Sequence, residues 1–164
     1  MDKVTKFKGE YSWLSNFAPC NIIYKDNSYP SVEHAYMSAK SDNPEWKLRC
    51  SDPNITAGQI KRESREMPLI DNWHDVKLDV MEYCVDLKFS QEPYLTLLLS
   101  TGDMVLEEGN WHNDDFWGIC LKRNQGHNHL GRLIMDKRTE LKLNLIGNQD
   151  NERITDSGTT CSLP

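Results

Sequence analysis

The chain has 164 residues, a length that fits one domain with a real hydrophobic core. With 19 Lys and Arg against 25 Asp and Glu the formal net charge is −6, so it lacks the excess of cations needed to live on long nucleic acid or anionic lipid, although a single nucleotide stays within reach. Mean hydropathy is −0.68, and no stretch approaches the roughly 20 apolar residues that span a bilayer.

No apolar run follows the charges of residues 1–6, so no secretory signal is expected there. Five cysteines (Cys20, Cys50, Cys84, Cys120 and Cys161) stand far apart without a C-x-x-C pair. That pattern reads as reduced intracellular thiols, so the expectation is a cytoplasmic protein without a membrane partner.

Residues 9–17 (GEYSWLSNF) carry neither a helical nor a strand period and read as a polar-aromatic loop. Residues 20–24 are β-prone and run into a Lys-Asp-Asn-Ser turn. Ser31 is an N-cap residue for a helix to about Lys40, and Asn43 followed by Pro44 opens a second helix. Thr56 caps a third short helix reaching about Ser64. The strongest periodicity lies in residues 73–88, where Val76, Val80, Tyr83, Cys84 and Leu87 share one face. Pro93 opens a helix through the triple leucine, closed by Thr101 and Gly102, and residues 104–106 suit a brief strand. A last helix begins near His129, with Leu130, Leu133, Ile134, Leu141 and Leu145 on one side and Gly147 as its stop. Residues 148–164 are almost devoid of apolar side chains and read as a disordered tail behind a domain of residues 1–147. The fold class is α+β: compact, mainly helical, with a few short strands.

Side chains suited to chemistry gather in the loops and helix starts. On the first helix Glu33 and Lys40 are seven residues apart, which leaves them about 20° apart in azimuth and roughly 10 Å apart along the axis. That is too far for an ion pair, but they can line the two ends of one ligand-sized cleft; the other reading is a solvated helix face. Tyr36 and Met37 make the face partly apolar, which would perturb a lysine. Asp114 and Asp115, beside Trp117 and Gly118, are either acid-base groups for glycosidic chemistry or a turn and cap. With His112 they could also ligate a metal, but no second ligand set is visible, so no metal is expected. Residues 126–131 place glycines before a helix and could offer backbone N–H groups to a phosphate.

Taken in order, Lys8-Gly9-Glu10, Trp13-Leu14-Ser15-Asn16-Phe17, Tyr29-Pro30-Ser31-Val32-Glu33-His34-Ala35-Tyr36 with Lys40, Lys88-Phe89, Ser100-Thr101-Gly102-Asp103, Glu108-Gly109-Asn110, Asp114 with Phe116-Trp117-Gly118, and Gly126 with Asn128 and Gly131 resemble the NADAR family over residues 7 to about 140. The resemblance implies a small α+β domain that hydrolyses N-glycosidic bonds without metal or cofactor. Its substrates would be ADP-ribose on guanine or phosphoribosyl intermediates of riboflavin synthesis.

The family's helix Glu and Lys match Glu33 and Lys40, and its acid before F-W-G matches Asp114. Its aromatic and amide ligands match Trp13, Asn16, Trp117 and Asn128; Phe17, His34, Thr101, Gly102, Gly118 and Gly131 join them as candidate substrate-binding residues. Lys40 would attack C1 of the ribose and give a Schiff base, with Glu33 and Asp114 handling protons. The expected partner is a free or nucleotide-linked ADP-ribose or phosphoribose. A modified single strand would be processed faster than a duplex, whose base must first be extruded, and the protein is expected to be a monomer. The rival readings are a non-catalytic module that binds ADP-ribose or NAD, and a structural adaptor.

Overall fold

A computed structural model of the chain describes residues 2–156, with side chains through residue 148. Six α-helices and six short strands follow one another among them. The strands form three two-stranded ribbons: β1 (Lys3–Val4) pairs parallel with β4 (Val105–Leu106), β2 (Pro19–Tyr24) antiparallel with β3 (Asn27–Ser31), and β5 (Gly109–Asn110) parallel with β6 (Ile119–Cys120). The fold is therefore α+β with helices dominant. The β2–β3 hairpin turns on Lys25 and Asp26, both with positive φ, where a short polar side chain such as Asp tolerates the left-handed region better than most.

Helix α1 (Val32–Ala39) is the central element, with all eight residues buried, and it contacts α2 (Pro44–Ser51), α3 (Ala57–Glu63), α4 (Trp73–Phe89), β2 and β3. Local chemistry sets these starts. Ser31 Oγ accepts from His34 N, Asn43 caps α2 with Pro44 in the first turn, and Thr56 and Gln59 close a capping box on α3. His34 donates from Nε2 to the Ile55 carbonyl at 2.8 Å, and its Nδ1 accepts from the Ser31 hydroxyl at 2.6 Å. This network fixes the neutral Nε2–H tautomer, consistent with burial lowering the histidine pKa.

Several expectations need correction. Residues 9–14 form a 3-10 helix, Gly9–Leu14, within the stretch read as an irregular loop. The buried face of α4 comprises Trp73, Val80, Met81, Cys84, Val85, Lys88 and Phe89. Tyr83 is exposed, its hydroxyl donating to the Ile23 carbonyl, and Leu87 only packs at the core's margin. The helix is gripped by α1 on one side and by β2 and the last helix, α6 (His129–Asp156), on others, so its buried arc is wider than one stripe and takes in a lysine. Helix α6 does not stop at Gly147. That glycine keeps a negative φ, and its propensity cost of about 1 kcal/mol weakens a helix without ending it. Leu145, expected on the packed side, is exposed along with Leu143 and Ile146. The polar stretch from residue 148 thus begins inside α6, and residues 157–164 lie outside the described residues.

The core unites Leu14, Ile22, Val32, Met81, Phe89, Leu98, Leu106, Leu130 and Ile134. Among the described residues no helix is long and apolar enough to cross a membrane. One packing contact invites a stability test: a Cβ on Gly131 would stand 2.2 Å from the Leu106 carbonyl. Gly131→Ala should lower stability by about 3 kcal/mol, at the upper end of overpacking; chemical denaturation reads it, and a change under 0.5 kcal/mol would mean that the β4–α6 contact is loose.

Candidate active site

One cavity of about 680 Å³ gathers Glu33, Tyr36 and Met37 of α1, Lys40 at its C-cap, the loop residues Ser15, Asn16 and Phe17, Lys61 and Arg65 from the α3 region, and Glu108, His112, Asp114 and Trp117 from the β5–β6 region. Phe7, Lys8, Met81, Gly109, Asn110 and Leu130 complete its wall. That volume lies within the range of small-ligand sites.

The α1 face is no solvated surface. Glu33 is 4 % exposed, and its Oε1 is buried without a hydrogen-bond partner among the described residues. The nearest cation, Lys61 Nζ, is 4.0 Å away, too far for a hydrogen bond. Desolvation raises the Glu33 pKa against the pull of Lys61 and Lys40, so the carboxyl holds its proton above the ordinary glutamate range. Lys40 stands two turns along the same face, its Nζ 5.6 Å from the Tyr36 ring centroid. Burial lowers its pKa, Lys61 pushes the same way, and Glu33 opposes. As the spacing on α1 implied, Glu33 and Lys40 share no ion pair.

Asp114 is presented by its own loop. Asn110, buried, accepts through Oδ1 from the N–H groups of His112 and Asp114 and donates through Nδ2 to the Asp114 carbonyl. Asp114 Oδ1 in turn accepts from Phe116 N at 3.1 Å and Trp117 N at 2.9 Å, which leaves Oδ2 for a ligand. Asp115 points elsewhere, paired with Arg123 at 2.8 Å. Trp117 meets Tyr36 edge-on at 5.5 Å, so the cleft has one aromatic wall.

Of the residues singled out in the sequence, Glu33, Lys40, Asp114, Asn16, Phe17 and Trp117 meet in this cavity. The remaining substrate-binding candidates, Trp13, His34, Thr101, Gly102, Gly118, Asn128 and Gly131, are not among its lining residues. Trp13 packs edge-on against Phe89, and His34 is held by Ser31 and Ile55. The Thr101 hydroxyl accepts from Arg138, and the Gly102 carbonyl from Lys142, which ties α5 (Tyr94–Ser100) to α6. Gly118, Asn128 and Gly131 instead support one acid. Asn128 accepts from Glu108 N at 3.1 Å and donates to the Leu106 carbonyl at 2.9 Å. A Cβ on Gly118 would meet the Glu108 carbonyl at 2.1 Å, and one on Gly131 the Asn128 side chain at 2.5 Å.

Glu108 received no role in the sequence reading, although the Glu108-Gly109-Asn110 block contains it. Desolvation, with Asp114 and Glu33 adding and Lys61 opposing, pushes its pKa up to about 7. Lys61 and Arg65, four residues apart and both on the cleft, were the other missed signal. The phosphate site expected on residues 126–131 loses four of its six N–H groups: those of His127, Asn128, His129 and Leu130 donate to the carbonyls of Asp115, Gly118, Phe116 and Trp117. Among the described residues no three His, Cys, Asp or Glu side chains converge as metal ligands.

The family model described as the NADAR domain matches residues 4–142. The chain is 38 % identical over 136 residues to a riboflavin biosynthesis protein of Vibrio vulnificus, covering 80 % of this chain and 36 % of that protein; the chain therefore spans about a third of that relative's length. It is 33 % identical over 138 residues to N-glycosidase YbiA of Escherichia coli, covering 82 % and 84 % of the two chains. The NMR structure of E. coli YbiA superposes with a TM-score of 0.74 at 28 % identity, over 88 % of this chain and 86 % of that one.

Proposed function

The chain belongs to the NADAR domain family, and from this premise we propose that its cleft hydrolyses the N-glycosidic bond between a ribose C1 and a nitrogen base. The substrate is a ribose that carries phosphate, as ADP-ribose on guanine or as a ribosylaminopyrimidine 5′-phosphate. The observation that carries the reading is one cavity joining a buried carboxyl, Glu33, whose Oε1 has no hydrogen-bond partner among the described residues, to a lysine whose pKa is depressed, Lys40.

The residues divide the work. Departure of the base gives C1 oxocarbenium character, which the Asp114 carboxylate stabilises, while Glu33, whose desolvation favours its protonated form, donates to the departing ring nitrogen. The C1–N bond to the base breaks as Lys40 Nζ bonds to C1. Opening of the sugar ring gives an imine; water then adds, releases the ribose with a C1 oxygen, and returns the lysine amine. Trp117 and Phe17 offer aromatic faces to the base or sugar. Lys8, Lys61 and Arg65 are the cations available to the phosphates.

Incubation with ADP-ribosylated guanosine, a ribosylaminopyrimidine 5′-phosphate and NAD, followed by mass spectrometry, tests the reading. Release of free base together with an intact ribose phosphate or ADP-ribose is expected from at least one of the first two. Binding without release from any of them would establish a non-catalytic reader of ADP-ribose or NAD. The cation assignment makes a separate prediction. Arg65→Ala removes a charge-assisted contact and should raise KM for a phosphorylated substrate about tenfold or more, while leaving KM for the dephosphorylated compound unchanged. Equal effects on the two would move the phosphate away from Arg65.

A further inference from the structure

Lys88 is 1 % exposed, inside the packed face of α4, and the proposed reaction gives it no part. Its Nζ donates to the Ser15 carbonyl at 2.7 Å and lies 4.8 and 5.0 Å from the Tyr94 and Phe89 ring centroids. Among the described residues it has no carboxylate within ion-pair distance. An amine in this place gives up hydration without a counter-charge, and burial brings its pKa down to about 7, with Cys20 and Tyr94 as the titratable neighbours. Methionine would fill similar space without that cost.

What the amine holds is the cleft wall. Ser15, Asn16 and Phe17 all line the cavity. The Asn16 carbonyl accepts from Glu33 N at 3.0 Å, Asn16 Nδ2 contacts Met81 Sδ at 3.5 Å, and Phe17 N donates to Ser15 Oγ at 3.1 Å. The tripeptide is thus strung between α4, through Lys88 and Met81, and the first turn of α1, where Glu33 begins. We infer that Lys88 is a positioning residue of the site: its amine fixes the Ser15 carbonyl and thereby sets Asn16, Phe17 and the Glu33 turn around the substrate. Both protonation states of the amine keep an N–H donor, so the strut persists across the neutral range.

The inference rests on the N-glycosidase reading, and its test separates the two. Lys88→Met, Asn16→Ala and the double variant are assayed on the ribosylaminopyrimidine 5′-phosphate and on ADP-ribosylated guanosine. Displacing a site wall by about 1 Å can cost on the order of 10²-fold, so Lys88→Met should lower kcat about 10- to 100-fold with a smaller change in KM. The double variant should be no more than about threefold worse than the poorer single one, because both substitutions disable the same wall. A contribution to folding alone would lower Tm and leave the two kinetic effects multiplicative. Multiplicative effects, or Lys88→Met within twofold of wild-type kcat/KM, overturn the inference.

Lys88→Gln, which keeps a shorter donor, enters the same cycle if the methionine variant does not fold. The Lys88 ¹³Cε resonance gives a reading that needs no Lys88 variant and no turnover: its titration midpoint should shift in Asn16→Ala, and an unchanged midpoint overturns the inference. A wild type that cleaves neither substrate defeats the N-glycosidase reading alone, since the resonance still decides the role of Lys88.

Discussion

Lys40→Arg should abolish turnover, by on the order of 10³-fold or more, in a protein that folds as the wild type does. The side chain keeps its positive charge and lies over Tyr36 as before, so any role as a charge partner survives the change. A role as nucleophile does not, because a guanidinium stays protonated at neutral pH and has no free pair for C1. The environment of Lys40 favours the free amine: burial and the neighbouring Lys61 both lower its pKa, and only Glu33 resists. Borohydride added during turnover should reduce the imine to a secondary amine, leaving the sugar on the peptide that contains Lys40. The arginine variant should show no adduct. Arginine at near-wild-type rate, or an adduct on Lys61 instead, would reassign Lys40 to holding carboxylate or phosphate.

Local chemistry made much of this architecture readable from sequence. The caps at Ser31, Asn43 and Thr56 act within three residues of themselves, so the starts of α1, α2 and α3 were visible without knowing what packs on them. The same holds for Glu33 and Lys40, whose shared azimuth depends only on helix geometry. Strands β5 and β6, two residues each, are too short to display a period. Glu108 escaped because its environment is assembled from afar: Asn128 holds its N–H, Gly118 and Gly131 permit the approach, and Asp114 and Glu33 supply the repulsion. Lys88 escaped for a related reason. A pattern that counts lysine as an outward residue cannot find one whose partner is a carbonyl 73 positions away.

Glu108→Gln should make the protein more stable in mild alkali and far less active. An unfolded glutamate releases its proton near its ordinary 4.5, whereas Glu108 in the fold keeps it up to about 7. Between these values the native state binds more protons than the unfolded chain, so wild-type stability falls as pH rises through the window. The contribution is complete below about 4.5 and lost above about 7. Desolvation is the first cause and the Asp114 carboxylate the second, and both act against the ionised form. Glutamine occupies the same space and never ionises, so the variant escapes the loss. Its Tm should match wild type near pH 5 and exceed it at pH 8 by several degrees, each kcal/mol being worth about 2–4 °C in a chain of this size. Turnover should drop about 10²-fold, the usual scale for removing an acid-base group, if the carboxyl that titrates near neutrality in this cleft serves, beside Glu33 and Asp114, as the base for the water that adds to the imine. A Tm difference that is the same at both pH values would mean that Glu108 is well solvated. Full activity with the expected Tm pattern would leave it a buried acid with no share in proton transfer, and Glu33 and Asp114 would carry that work alone.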